Sequence, residues 1–213
     1  IAFSLVAGVG MMIVGITAAP WALRAMSTPE DILGPATTYI RIYFLGVIGN
    51  LIYNMGAGIL RAVGDSKRPL YFLTASCLTN IVLDIAFVIG LHMGVAGAAL
   101  ATILSQALSA VLVLWVLMRT KDMHRLELRK IRFAGRMFHR IIRIGLPAGL
   151  QSVMYTSSNI LIQSSVNALG TDTVAAWTAY SKIDSLFWMI VNAFGISITT
   201  FVGQNYGAGK MDR

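Results

Sequence analysis

An all-α fold, a polytopic bundle of membrane-crossing helices, is what this sequence predicts, and three observations carry the prediction. Six apolar runs are each long enough to cross a bilayer core about 30 Å thick as a helix. Charged residues make up only 12% of the 213 positions and hydrophobic ones 56%, about half the charged share of a soluble domain. The charges that remain fall mostly between the apolar runs, and basic loops alternate with non-basic ones, the pattern that the positive-inside rule imposes.

The first run covers about 1–23, with Pro20 placed to bend or end it. The second covers about 38–60, the third 70–91 and the fourth 95–118; the fifth spans about 144–169, with Pro147 near its start, and the sixth about 174–202. Glu30 and Asp31 lie between the first two runs without any Lys or Arg, whereas Arg61, Lys67 and Arg68 follow the second. His92 is the only titratable residue between the third and the fourth, and only Asp172 is charged between the fifth and sixth. The linker after the fourth holds nine basic residues, from Arg119 to Arg143, against Asp122 and Glu127. The second and fourth loops are therefore expected on the cytoplasmic side, with the first helix running from inside to outside. In the basic linker Leu126, Leu128, Ile131, Phe133, Met137 and Phe138 interleave with the cations, as in an amphipathic segment resting on the inner leaflet. The net charge of +8 is accounted for by these loops, so nucleic acid is not an expected partner.

The third run carries a carboxylate, Asp84, about 21 Å from its Leu70 end, where an ionisable group is costly unless it faces a polar interior or a water-filled path. Asn80 stands one turn earlier, and Ser76, Asn80 and Asp84 form a stripe at i+4 steps. Further stripes are Tyr43, Asn50 and Asn54 in the second run, Thr102, Gln106 and Ser109 in the fourth, and Gln151, Tyr155, Asn159 and Gln163 in the fifth. Such stripes line a shared hydrated cavity or act singly as polar glue between helices; for Asp84, with no basic partner at its depth, function is the expectation. Lys182 and Asp184 enter the sixth run two residues apart, on different sides of the helix. Lys182 can snorkel to the interface, and Asp184 is free to line the cavity or to pair with a neighbouring helix.

Enzyme signatures are missing from the sequence. Gly207-Ala-Gly-Lys210 is followed by Met211 rather than Ser or Thr, and its upstream spacing does not make a phosphate loop. The three histidines sit in loops or at helix ends, and a single cysteine, Cys77, offers neither a disulfide nor a metal knuckle.

Several stretches together resemble the multidrug and toxic compound extrusion (MATE) transporters: Gly58-Ile-Leu-Arg-Ala-Val-Gly-Asp65 with Pro69, Asn80-Ile-Val-Leu-Asp84, Gly94-Val-Ala-Gly-Ala-Ala-Leu-Ala-Thr102, Gly145-Leu-Pro-Ala-Gly149 and Gly203-Gln-Asn-Tyr-Gly-Ala208. The resemblance implies twelve helices in two six-helix lobes, of which this internal piece would supply six: residues 1–118 the last four of the N-terminal lobe, 119–143 the basic cytoplasmic linker, and 144–213 the first two of the C-terminal lobe. It implies a cation or proton site at Asp84, Asn80 and Thr102. An essential glutamate of another branch falls here on Tyr155, which directs the resemblance to the DinF-like branch. The expected protein is a secondary antiporter of the cell inner (plasma) membrane, a monomer when full-length, with no cofactor and with H⁺ or Na⁺ as coupling ion. Its expected partners are membrane lipids and drug-like organic cations, met by Asn50, Asn54, Gln106, Gln151, Tyr155, Asn159 and Asp184. A flippase for lipid-linked precursors is the alternative; it predicts a basic cavity, for which only Lys182 and Arg41 are available.

Overall fold

The structure, a computed structural model, describes residues 2–25, 29–121, 125–127, 135–210 and 212. Six α-helices follow in order: α1 (Ala2–Ala25), α2 (Glu30–Ala62), α3 (Lys67–Asp84), α4 (Gly94–Arg119), α5 (Gly135–Asn167) and α6 (Thr171–Gly207). α3 runs directly into a π-helical segment, Ile85–Gly90. The helices fall into two compact units, Ile1–Arg132 and Phe133–Arg213.

In the first unit α2 is central, packed mainly against α4 and then α1, while α3 packs against α4. The α2/α4 seam explains this arrangement. Tyr53, Ala57 and Leu60 of α2 meet Ala110, Val113 and Leu117 of α4 in the unit's buried core, a 3–4 residue spacing that puts each trio on one helical stripe. Small residues let the two backbones approach. A Cβ at Gly56 would lie 2.8 Å from Val113 Cγ2, and one at Gly46 would strike the Ile103 side chain.

The helix ends follow from local chemistry. α2 opens after Pro29 with Glu30 and Asp31 in its first turn, where carboxylates complement the positive end of the helix dipole. Gly64, at φ +89°, turns the chain toward α3, and Asp65 Oδ1 accepts the Arg68 backbone N–H at 3.1 Å while Oδ2 lies 3.2 Å from Arg68 Nε. The Tyr53 hydroxyl donates to the Pro69 carbonyl at 3.1 Å, tying the start of α3 to α2. In α1, Pro20 lacks the N–H that the Ile16 carbonyl would otherwise accept; Arg41 Nε of α2 donates to that carbonyl at 3.4 Å.

The second unit is an antiparallel hairpin. Ala168, Leu169 and Gly170 join α5 to α6, and Gly170 stands at φ +97°, a conformation open to glycine alone at little cost. α5 starts at Gly135, nine residues before the expected Ile144. Phe138, Ile141 and Ile142, at i, i+3 and i+4 among Arg136, Arg140 and Arg143, continue a helical apolar face through the basic stretch. Leu128, Ile131 and Phe133 of the expected amphipathic segment lie outside the described residues.

Five of the helices, α1, α2, α3 with its π-helical end, α4 and α6, are long and apolar enough to cross a membrane. α5, the expected fifth crossing, has the length but falls short in hydropathy. Its middle is dense in polar side chains: Gln151, Ser152, Thr156, Ser157, Ser158 and Asn159.

Candidate functional site

The α3/α4 interface is where the sequence places the acidic site, and the structure builds it from Ser76 upward. Ser76 is buried, and its hydroxyl donates to the Ser105 carbonyl of α4 at 2.6 Å. That bond sets the register of the antiparallel pair and turns the Ser76/Asn80/Asp84 stripe toward α4. One turn further along α3, and one turn back along α4, Asn80 comes level with Thr102; a further turn takes Asp84 level with Ala98.

Asn80 and Asp84 are both half-buried. Asn80 Nδ2 and Asp84 Oδ1 are each shielded from solvent with no hydrogen-bond partner. Leaving a shielded donor or acceptor unmatched costs about 1–3 kcal/mol, more when it is charged. Thr102 donates its hydroxyl hydrogen to the Ala98 carbonyl of its own helix at 2.9 Å, which leaves oxygen lone pairs open to accept or to ligate. Ser105 in turn donates to the Thr102 carbonyl at 2.8 Å.

Asp84 is also the last α-helical residue before the π-helical segment. At Gly97 a Cβ would lie 3.0 Å from Phe87 Cβ and 2.9 Å from Met93 Cβ, so α4 packs directly on the widened turn beyond the carboxylate. π-helical turns gather at functional positions. The alternation of apolar residues from Ile85 to Gly90 carries no sign of this one, and sequence reading missed it. Ser105 was missed too; its position one turn from Ala101 on the small-residue face of α4 is the signal that marks it.

The remaining predicted side chains divide between the units. In the first, Asn54 Nδ2 donates to Asn50 Oδ1 at 2.7 Å and to the Asn50 carbonyl at 2.9 Å, so this pair is satisfied within α2. Gln106 is half-buried on α4, and its carbonyl accepts from Ser109 at 2.8 Å. In the second unit Gln151, Tyr155 and Asn159 are exposed along α5, Gln163 donates to Asn167 Oδ1 at 2.8 Å, and Asp184 is half-buried on α6.

Five helices long and apolar enough to cross a membrane describe a polytopic membrane protein. The chain belongs to the MatE family, whose model matches residues 1–86 and 147–213. It is similar to the probable multidrug resistance protein YpnP of Bacillus subtilis, with 35% identity over 191 residues, 90% of this chain and 42% of that protein. The DNA damage-inducible protein F of Escherichia coli is 26% identical over 188 residues, 88% of this chain and 41% of that protein. The crystal structure of MATE in the bent conformation superposes with a TM-score of 0.87 at 29% identity, covering 99% of this chain and 47% of that one. The chain thus spans less than half the length of the relatives it matches. The family is one of transporters rather than enzymes, solved members being multidrug resistance MATE family transporters.

Proposed function

We propose that the whole protein is a secondary active multidrug efflux transporter of the inner (plasma) membrane, acting as a monomer and exporting amphipathic organic cations by antiport with H⁺ or Na⁺. The observation that carries this reading is the pair of shielded, unmatched atoms on one stripe of α3, Asn80 Nδ2 and Asp84 Oδ1. A bare carboxylate oxygen inside a spanning helix is costly, and a bound proton or cation offsets that cost. The names of the relatives support the drug class: YpnP and YoeA of Bacillus subtilis are both probable multidrug resistance proteins.

In the proposed cycle an ion arriving from outside neutralises Asp84, with the Thr102 oxygen and the Asn80 amide completing its surroundings. Neutralisation removes the charge that holds a cationic drug. Ion and drug are then mutually exclusive at one carboxylate, a negative coupling that is reciprocal by linkage and sufficient for exchange. Asn50, Asn54 and Gln106 in the first unit, and Gln151, Tyr155, Asn159 and Asp184 in the second, are proposed to offer polar contacts to the drug.

Ethidium efflux from cells expressing the full-length parent tests the reading. Asp84→Asn keeps shape and removes charge, so efflux is expected to fall to the level of cells without the transporter at equal membrane expression. Efflux undiminished in that variant would overturn the role of Asp84. Repeating the assay with proton and sodium ionophores names the coupling ion.

A further inference from the structure

We propose that Gly97 is a positioning residue for the Asp84 carboxylate. Carrying no side chain, it lets the first turn of α4 close on Phe87, and this seat fixes the π-helical turn that aims Asp84 toward the Thr102 side of α4. The proposal rests on the reading of Asp84 as the ion site and adds the contact that holds it in place.

Three observations meet at Phe87. It lies within the π-helical segment Ile85–Gly90, which starts at the residue after Asp84. Its carbonyl accepts the Met93 N–H at 2.9 Å, across the loop to α4. Gly97 is buried, and a Cβ there would stand 3.0 Å from Phe87 Cβ, 3.2 Å from the Phe87 carbonyl carbon and 2.9 Å from Met93 Cβ. None of these three atoms can rotate aside, so a side chain at position 97 has to push the turn and the helix apart. In the loop between them His92 holds φ +52°, uncommon for a residue with a side chain, and Leu91 donates to the Ala86 carbonyl at 2.9 Å. Turn, loop and helix start thus form one closed joint, built within Ile1–Arg132.

The joint has a lever on the carboxylate. It grips α3 beyond Asp84, while the Ser76 to Ser105 bond grips it below Asn80, about 17 Å away along the helix. Held at both ends, the stretch between keeps Asn80 and Asp84 facing α4. A π turn closes over one residue more than an α turn, and one residue is worth about 100° of rotation. Releasing the grip at Gly97 therefore frees Asp84 to swing off the Thr102 side. Plain packing accounts for glycine where two helices touch, as at Gly46 and Gly56 on α2. It does not account for one seated on a π turn beside a shielded, unmatched carboxylate oxygen. Besides Asp84, the titratable residues between Arg68 and Arg119 are Tyr71, Cys77 and His92, and of these His92 belongs to the joint.

Ethidium efflux from cells expressing the full-length parent, measured against the concentration of the coupling ion, tests the proposal. Gly97→Ala is expected to raise the ion concentration for half-maximal efflux by about tenfold, the scale of a lost support behind a ligand, with the maximal rate falling much less. Gly56→Ala, which overpacks the α2/α4 seam, is expected to leave that concentration unchanged. So is His92→Gly, which keeps the positive φ without the imidazole. Hydrogen exchange of the purified protein gives a readout apart from transport: amides of residues 84–93 exchange faster in Gly97→Ala and not in Gly56→Ala. An unchanged half-maximal concentration in Gly97→Ala, or an equal shift in Gly56→Ala, overturns the proposal and leaves the role of Asp84 untouched. An equal shift in His92→Gly hands the effect to the imidazole and overturns it as well. Should Gly97→Ala fail to reach the membrane, deletion of Ile89, which shortens the turn by one residue, is read on the same axis, and no shift there overturns the proposal. If Asp84→Asn itself leaves efflux undiminished, the ion-site reading falls, and this one with it.

Discussion

The two units solve the problem of helix packing differently. In Ile1–Arg132, α2 and α4 close on one another along glycines and alanines, and Ala57, Leu60, Ala99, Ala101 and Val113 are wholly inaccessible. Among the described residues of Phe133–Arg213, the hairpin α5–α6 has one buried apolar residue, Val166, next to its turn. Its apolar faces are satisfied only by hydrocarbon or by other helices. The first unit is specified largely by its own side chains, whereas within this chain α5 and α6 bury little of theirs against each other. Asn80 and Asp84 belong to the packed unit, where a bond such as Ser76 to Ser105 can hold them in register.

The sharpest way to break this comparison is to remove the same group from each unit. Leu60 is fully covered and Leu186 is 61% exposed. In the detergent-solubilised chain, Leu60→Ala is expected to destabilise by about 2–5 kcal/mol, the range for a cavity in a closed core, and Leu186→Ala by no more than about 0.5 kcal/mol. Thermal unfolding read by circular dichroism measures both. Equal losses would mean that α6 packs as tightly as α2, and the contrast between units would be gone.

A second pair adds atoms instead of removing them. Gly56→Val places a branched side chain against Val113, 2.8 Å from a Cβ at that position, and is expected to cost about 1–3 kcal/mol by overpacking. Gly203→Ala in α6 meets nothing within 4 Å and is expected to gain about 0.5–1 kcal/mol from helix propensity. The same unfolding midpoints decide it: opposite signs keep the seam as the organising contact of the first unit.

How much of this was legible beforehand depends on whether the signal is local. The spans of α1 to α4 and α6 follow from runs of apolar residues, and the Ser76/Asn80/Asp84 stripe follows from i+4 spacing, so both could be read directly. The start of α5 was placed nine residues late because Arg136, Arg140 and Arg143 break a hydropathy window without breaking a helix. The π-helical turn after Asp84 lies where Gly97 packs against Phe87, a contact between two helices that no local pattern reports. Arg41 was legible only as a basic residue available to a cavity; that it serves the carbonyl freed by Pro20 required the partner helix in place.

The most local expected effect concerns the turn on which the hairpin depends. Gly170 holds φ +97°, and a Cβ there meets no neighbouring atom, so any penalty in Gly170→Ala comes from the backbone and not from contacts. The penalty is expected at about 1 kcal/mol or slightly more, since alanine is strained where φ is positive. Because α5 and α6 share so little buried surface, that strain has little packing to oppose it. The expected consequence is local: faster amide exchange across residues 163–177, with exchange in α2 and α4 unchanged. Hydrogen exchange read by mass spectrometry separates the outcomes, and protection lost equally in α2 would show that the turn supports the first unit as well, joining what the burial pattern divides.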